Sequence, residues 1–293
     1  MVTIFTPTYN RGYIIGKLYS SLCNQTCKDF EWIVVDDGST DNTELLICSF
    51  IDEGKIPIRY IRQQNGGKHR AVNRGVREAC GELFFIVDSD DVVTNEAVEI
   101  VVRYYNGIKE DCSFAGICGV KVHFDGTKVG GECDFGILDC NSVDLRYKYG
   151  IRGDMAEVFR TEILRKYPFP EIEGEKFCSE ALVWNRIAKK YRMRYFYKKI
   201  YKCEYLPDGL TANIIKVRVQ SPMASMMYYS ELSCMDIPIM QKIKATINFW
   251  RFACCSDKCF WEKAGQAGVY SLWLYPLGVL FHLRDLYLCM DMP

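Results

Sequence analysis

Four apolar runs, each ending in a polar cluster, leave this chain few folds to adopt. VTIFTPT leads into the helix-spaced YIIGKLYSSLCNQ, FEWIVVDDGS into NTELLICSFIDEG, and IPIRYIRQ into HRAVNRGVREACG; LFFIVDSDD closes the series. A run that is apolar on both faces belongs inside a sheet covered on two sides, and helical crossovers return each strand in the same direction. The pattern therefore predicts an α/β fold with a mostly parallel sheet covered by helices, with Asp41 or Asn42 available to cap the second helix. Such sheets bind ligands beyond the carboxyl ends of their strands. There the sequence places TPTYNR, VDDGSTDN, QQNGGKHR and DSDD, so the polar groups gather on one rim.

The pattern loosens downstream. SFAGICGVKVHF, 113–124, reads as another strand, and 125–150 reads as loop. Ser179 is placed to cap a helix carrying Ala181, Trp184, Ile187, Ala188 and Tyr191 on one face, with Glu180 at the positive end of its dipole. MRYFYKKIYKCEYL is β-rich with aromatic residues suited to a core, and YLPDGLTANI, 205–214, holds a turn that could serve as a flap. From 212 onward the chain reads as helices.

With 293 residues, 49% of them hydrophobic, the chain can build a substantial core. Its 37 Lys and Arg balance 37 Asp and Glu, which argues against a nucleic-acid partner. The 15 cysteines are odd in number and irregularly spaced, as expected of reduced thiols in a cytoplasmic protein. CCSDKC, with Cys254, Cys255 and Cys259, has no histidine at ligand spacing, so zinc is not expected. MVTIFTPTYNRG shows no secretory signal, and Pro276 interrupts AGVYSLWLYPLGVLF, 267–281, short of the roughly 18 apolar residues of a spanning helix. TINFWRF, FWEKAGQ and GVYSLWLYPLGVLFHLRDLY mix Trp, Phe and Leu with basic residues, as interfacial helices do.

The rim residues suggest a chemistry. Asp88 and Asp90, read as the end of the fourth strand, face one side and offer the hard oxygens that Mg²⁺ or Mn²⁺ takes, with Ser89 facing away. Asp37 could accept from a base or ribose. Gly66 and Gly67 could turn backbone N–H groups to phosphate beside Lys68, His69 and Arg70. Neither a Walker A loop nor a Gly-x-Gly-x-x-Gly fingerprint is present.

In TPTYNR, VVDDGSTDNT, NGGKHRAVNRG, GELFFIVDSDD and GEKFCSEALVWNRIAKKY the chain resembles family 2 glycosyltransferases of the GT-A fold, over roughly residues 1–210. The resemblance implies a Rossmann-like catalytic domain at 1–211, with a nucleotide-binding half, 1–110, and an acceptor-side half, 111–211, followed by a helical region, 212–293. It implies nucleotide-sugar contacts at Thr6, Pro7, Tyr9, Arg11, Asp37, Asn65, Gly67, Lys68, Asp88 and Ser89, with the Tyr9 ring against the base. Asp90 and Asp88 would hold Mn²⁺ or Mg²⁺, and Glu180, with Glu175 in reserve, would be the base of an inverting transfer. Many members carry an arginine where this chain has Val72, so Lys68, Arg70 or Arg74 must supply its charge. The implied partners are a nucleotide sugar, UDP-linked for preference, and a saccharide or lipid-linked saccharide acceptor, at the inner face of a membrane if the C-terminal helices bind one. Whether the chain oligomerises stays open. Two other readings compete: a nucleotide-sugar-binding protein without turnover, and a nucleotidyltransferase, though TPTYNRG lacks the glycine- and basic-rich loop the latter needs.

Overall fold

A computed structural model describes residues 1–133, 135–204 and 212–290. The chain forms two compact units, one of Met1–Pro168 with Arg186–Glu204, the other of Phe169–Asn185 with the C-terminal residues from 212. Residues 169–185 thus group with the C-terminal helices rather than with the sheet. The turn read at 205–214 falls, over 205–211, outside the described residues.

The first unit begins with β1 (Val2–Thr8), α1 (Gly16–Cys23), β2 (Phe30–Asp36), α2 (Thr43–Glu53), β3 (Ile58–Arg62), α3 (Lys68–Glu78) and β4 (Leu83–Ile86). It continues through β5 (Val92–Val93), α4 (Ala97–Asn106), β6 (Phe114–His123), β7 (Ile137–Cys140), α5 (Ser142–Tyr147), β8 (Met155–Arg160) and α6 (Thr161–Lys166). After α7 (Glu180–Ala188) comes β9 (Arg192–Cys203). The nine strands form one sheet in the order β3-β2-β1-β4-β8-β6-β9-β5, with β7 also on β9. Pairings among β1, β2, β3 and β4 are all parallel. Beyond β4 they are antiparallel, except β6 with β9, so the complete sheet is mixed.

Every residue of β1 and β2 is buried, as strands covered on both faces require. Trp32, Leu18, Leu22, Ile47, Val98 and Val101 belong to one cluster beneath the sheet. The other face is tight as well: a Cβ on Gly75 of α3 would lie 2.1 Å from the Phe5 ring, so a glycine lets the helix seat on β1.

Three expectations change. β4 stops at Ile86, and Asp88–Asp91 is a turn closed by the Asp91 N–H on the Asp88 carbonyl (3.2 Å), because adjacent aspartates favour turn over strand. The segment read as loop holds β7 and α5, the latter capped by Asn141, whose side chain accepts from the N–H groups of Val143 and Asp144. In α7 the buried residues are Leu182, Val183 and Ile187, one step round from the face expected.

The second unit adds α8 (Ile214–Val219), α9 (Pro222–Ser233), α10 (Ile239–Ala253), α11 (Phe260–Ala267), a 3₁₀ turn (Val269–Leu274) and α12 (Tyr275–Met290). Met226, Phe249, Trp250, Ala253 and Ala264 form its core. A buried Arg251–Asp285 pair, 2.5 and 2.6 Å, ties α10 to α12. No helix among the described residues is long and apolar enough to cross a membrane.

Candidate functional site

The loops after β1 and β2 are knit into one piece. Asn10 takes a positive φ of 54°. Its N–H donates to Ser39 Oγ (2.8 Å), and its side-chain oxygen accepts from the Thr40 N–H (2.8 Å). The Gly12 N–H donates to Asp41 (3.0 Å), whose other oxygen accepts from the Thr43 N–H and hydroxyl. These bonds hold Tyr9 exposed at the rim, with Arg11 bonded to the Tyr13 hydroxyl (2.5 Å). Pro7 is buried, and so is Thr6, whose hydroxyl accepts from the Trp32 indole (2.9 Å) and thus faces the core. Thr8, which the sequence reading passed over, ends β1 with a buried hydroxyl that has no hydrogen-bond partner among the described residues.

Asp37 organises the third loop. One carboxylate oxygen accepts from Gln63 Nε2 (2.8 Å) and the Gly66 N–H (2.9 Å), and the other from the Gly67 N–H (2.7 Å). Asn65 donates to the Asp37 carbonyl (2.9 Å). The two glycine amides expected to meet phosphate therefore serve a buried carboxylate, which a low-dielectric site cannot leave unpaired. The same loop releases the chain into α3, whose first residue is Lys68.

Lys68 reaches the acidic turn, its Nζ 2.6 Å from Asp88 Oδ1. Burial alone would raise the Asp88 pKa, but the Lys68 and Lys121 cations outweigh it and hold the carboxyl below its ordinary range. Asp90 and Asp91 go the other way. Burial and then the neighbouring Asp88 charge raise both, Asp91 to about 7. The Tyr201 hydroxyl donates to Asp91 Oδ2 (2.6 Å) and accepts from the Asp88 N–H (3.0 Å). Ser89 is buried within the turn.

The turn thus holds hard oxygen donors and negative charge that crowding penalises, which suits a divalent cation. No group of three or more His, Cys, Asp or Glu converges among the described residues, so Asp88 and Asp90 would supply one or two ligands and a diphosphate the rest. Val72 is buried in α3. Of the cations that could replace an arginine there, Arg74 pairs with Glu78 (3.1 Å), whereas Lys68 lies on the acidic turn.

Glu180 opens α7 and belongs to the second unit. Glu175 is buried there, accepting from the Met223 (2.6 Å) and Ala224 (2.9 Å) N–H groups. It caps α9, and burial raises its pKa against the pull of those amides. In the same unit Cys255 does have a histidine near it in space, His282 Nδ1 at 3.5 Å, although burial and then the Cys254 charge push its pKa up to about 11.

Known proteins resemble this chain in sequence and in fold. Residues 3–135 match the family model described as Glycosyl transferase family 2. Glycosyltransferase GlyG of Streptococcus pneumoniae is 32% identical over 128 residues, which cover 39% of this chain and 42% of the relative. The chain therefore spans less than half the length of that curated relative. Among solved structures, Staphylococcus aureus TarS 1-349 in complex with UDP-GlcNAc superposes with a TM-score of 0.62 at 19% identity, covering 95% of this chain and 81% of that one. Mannosyltransferase PcManGT from Pyrobaculum calidifontis, in complex with GDP-Man and Mn²⁺, gives 0.57 at 18% identity, covering 98% and 84%. At these identities the structures speak to fold, and the fold is GT-A. Residues 3–135 thus resemble glycosyl transferase family 2, on a chain whose fold is GT-A.

Proposed function

We propose that the chain is an inverting glycosyltransferase that moves a sugar from a nucleoside diphosphate sugar, a UDP-sugar first of all, to an acceptor hydroxyl in cell-surface polysaccharide or glycolipid synthesis. The observation that carries this is the rim itself: three strand-end loops and an acidic turn lie at the carboxyl ends of the parallel strands β1 to β4, with Lys68 on Asp88. The resemblance to TarS bound to UDP-GlcNAc supports a nucleotide-sugar donor, and the one to PcManGT bound to GDP-Man and Mn²⁺ supports a metal. The roles of 1–211 as catalytic domain and 212–293 as helical region belong to the same proposal.

Tyr9 offers an exposed ring to the base, and Arg11 and Lys68 offer positive charge to the diphosphate. Asp37 acts indirectly, by shaping the loop of Asn65 and Gly67. Asp88 and Asp90 would hold Mn²⁺ or Mg²⁺, which when bound supplies Lewis-acid stabilisation of the departing diphosphate. Glu180 takes the proton of the acceptor hydroxyl as its oxygen attacks the anomeric carbon and the bond to diphosphate breaks on the opposite face. A single displacement of this kind inverts the anomeric centre.

A panel of UDP- and GDP-sugars in thermal-shift assays tests the donor side. One UDP-sugar with Mn²⁺ is expected to raise the melting temperature by several degrees, and EDTA or Asp90→Ala to remove the rise. No response to any sugar nucleotide with metal would sink the donor reading. The second reading, binding without turnover, is favoured by Val72 standing where many family members have arginine. Sugar released from the donor, seen by mass spectrometry, would end it.

The outer face of α12 supports a membrane-surface role at the cytoplasmic side. Leu277, Leu280, Leu283, Leu286 and Tyr287 are exposed there with Arg284, and Tyr270 and Trp273 stand almost fully exposed just before the helix. An apolar face edged by aromatic rings and carrying one cation complements an anionic lipid surface. Pelleting with liposomes containing anionic lipid is expected for the native chain and reduced several-fold by Leu280→Ser, Leu283→Ser and Tyr287→Ser together. Equal pelleting would count against the idea.

A further inference from the structure

We propose that Tyr201 is a positioning residue for the acidic turn, fixing the Asp88 and Asp90 carboxylates where a metal diphosphate is held; the inference rests on the donor reading above. Tyr201 is fully buried at the end of β9, where a phenol needs only one hydrogen bond to be satisfied. It makes two, and both are to the same four-residue turn: it accepts from the Asp88 N–H and donates to the Asp91 carboxylate. Accepting one bond and donating the other fixes the orientation of the hydroxyl.

The ring is fixed as firmly. In β-sheet register Tyr201 lies opposite Lys121 of β6 on one side and Val93 of β5 on the other. The Lys121 ammonium lies 4.1 Å from the centre of the ring, within cation–π range. Val92 follows directly on the turn and pairs with Lys202 as Val93 does with Tyr201, so strand pairing holds the turn's exit while the hydroxyl holds its entrance and its last carboxylate. Three neighbouring aspartates repel one another, and a turn left to itself would spread them. Tyr201 opposes that spreading from within the sheet. Asp91, in this arrangement, serves the tyrosine and leaves the ligand side to Asp88 and Asp90.

Tyr201→Phe removes one oxygen and keeps the ring. Calorimetric titration of the full chain with UDP, once with Mn²⁺ and once with EDTA, separates positioning from packing. Affinity in Mn²⁺ is expected to fall about tenfold or more, the scale of a lost hydrogen bond to a charged group, while affinity in EDTA changes by less than about twofold. Native-like affinity in Mn²⁺, or an equal loss with and without metal, overturns the proposal. A native chain whose UDP affinity does not respond to Mn²⁺ overturns the donor reading and this proposal with it, so the two failures are distinguishable.

Discussion

Glu180→Gln is expected to bind a nucleotide sugar with native affinity and to transfer it about 10² to 10⁴ times more slowly, the range spanned by a lost general base. The amide keeps the size of the side chain and its place at the start of α7, while losing the ability to take a proton. A general base acts only as the acceptor oxygen attacks, so the loss should fall on turnover rather than on donor affinity. Calorimetry with the donor and a transfer assay on one preparation measure both quantities. Full transfer by the Gln variant would remove Glu180 from the mechanism. Glu175 could not then be called on as it stands, because both of its carboxylate oxygens cap α9.

Asp37→Ala is expected to have the other large effect, on stability and donor affinity together. The carboxylate accepts from Gln63, Gly66 and Gly67, and its removal leaves buried donors without partners at a cost of about 1–3 kcal/mol each. A loss of about 3 kcal/mol in a denaturant titration, with UDP affinity weakened about 100-fold as the loop before Lys68 loosens, is the expected result. Asp37→Asn should recover little, because its amide nitrogen must face one of the backbone N–H groups. Native stability in the alanine variant would show that the loop holds its shape without the carboxylate.

These two residues mark what could be read from the chain in advance and what could not. Glu180 was visible as an acidic residue at a helix start, and Lys68, Asp88 and Asp90 as charge at strand ends, because local pattern encodes such placements. The parallel part of the sheet was legible for the same reason: β1, β2, β3 and their helices are successive and apolar in the right periods. Asp37 was visible too, but its task was not, since the choice between a ligand and two glycine amides is made by burial. Tyr201 and Lys121 were hidden more deeply. Their meeting with the acidic turn depends on how β5, β6 and β9 align, and no local spacing records that alignment. The short β7 and α5 escaped because only Asn141 announces them.

The position of Tyr201 also sets an order of manufacture. The first four parallel strands are all made by Ile86, and β1 gains its second neighbour when β4 follows it at Leu83. The turn that ends this half must wait: the hydroxyl that pins Asp88 is 113 residues further along the chain. A nascent chain that has made β1 to β4 therefore lacks the hydroxyl that bonds the acidic turn until β9 is made. On the proposed function, the edge that would hold the donor is completed only with β9, the last strand to be made.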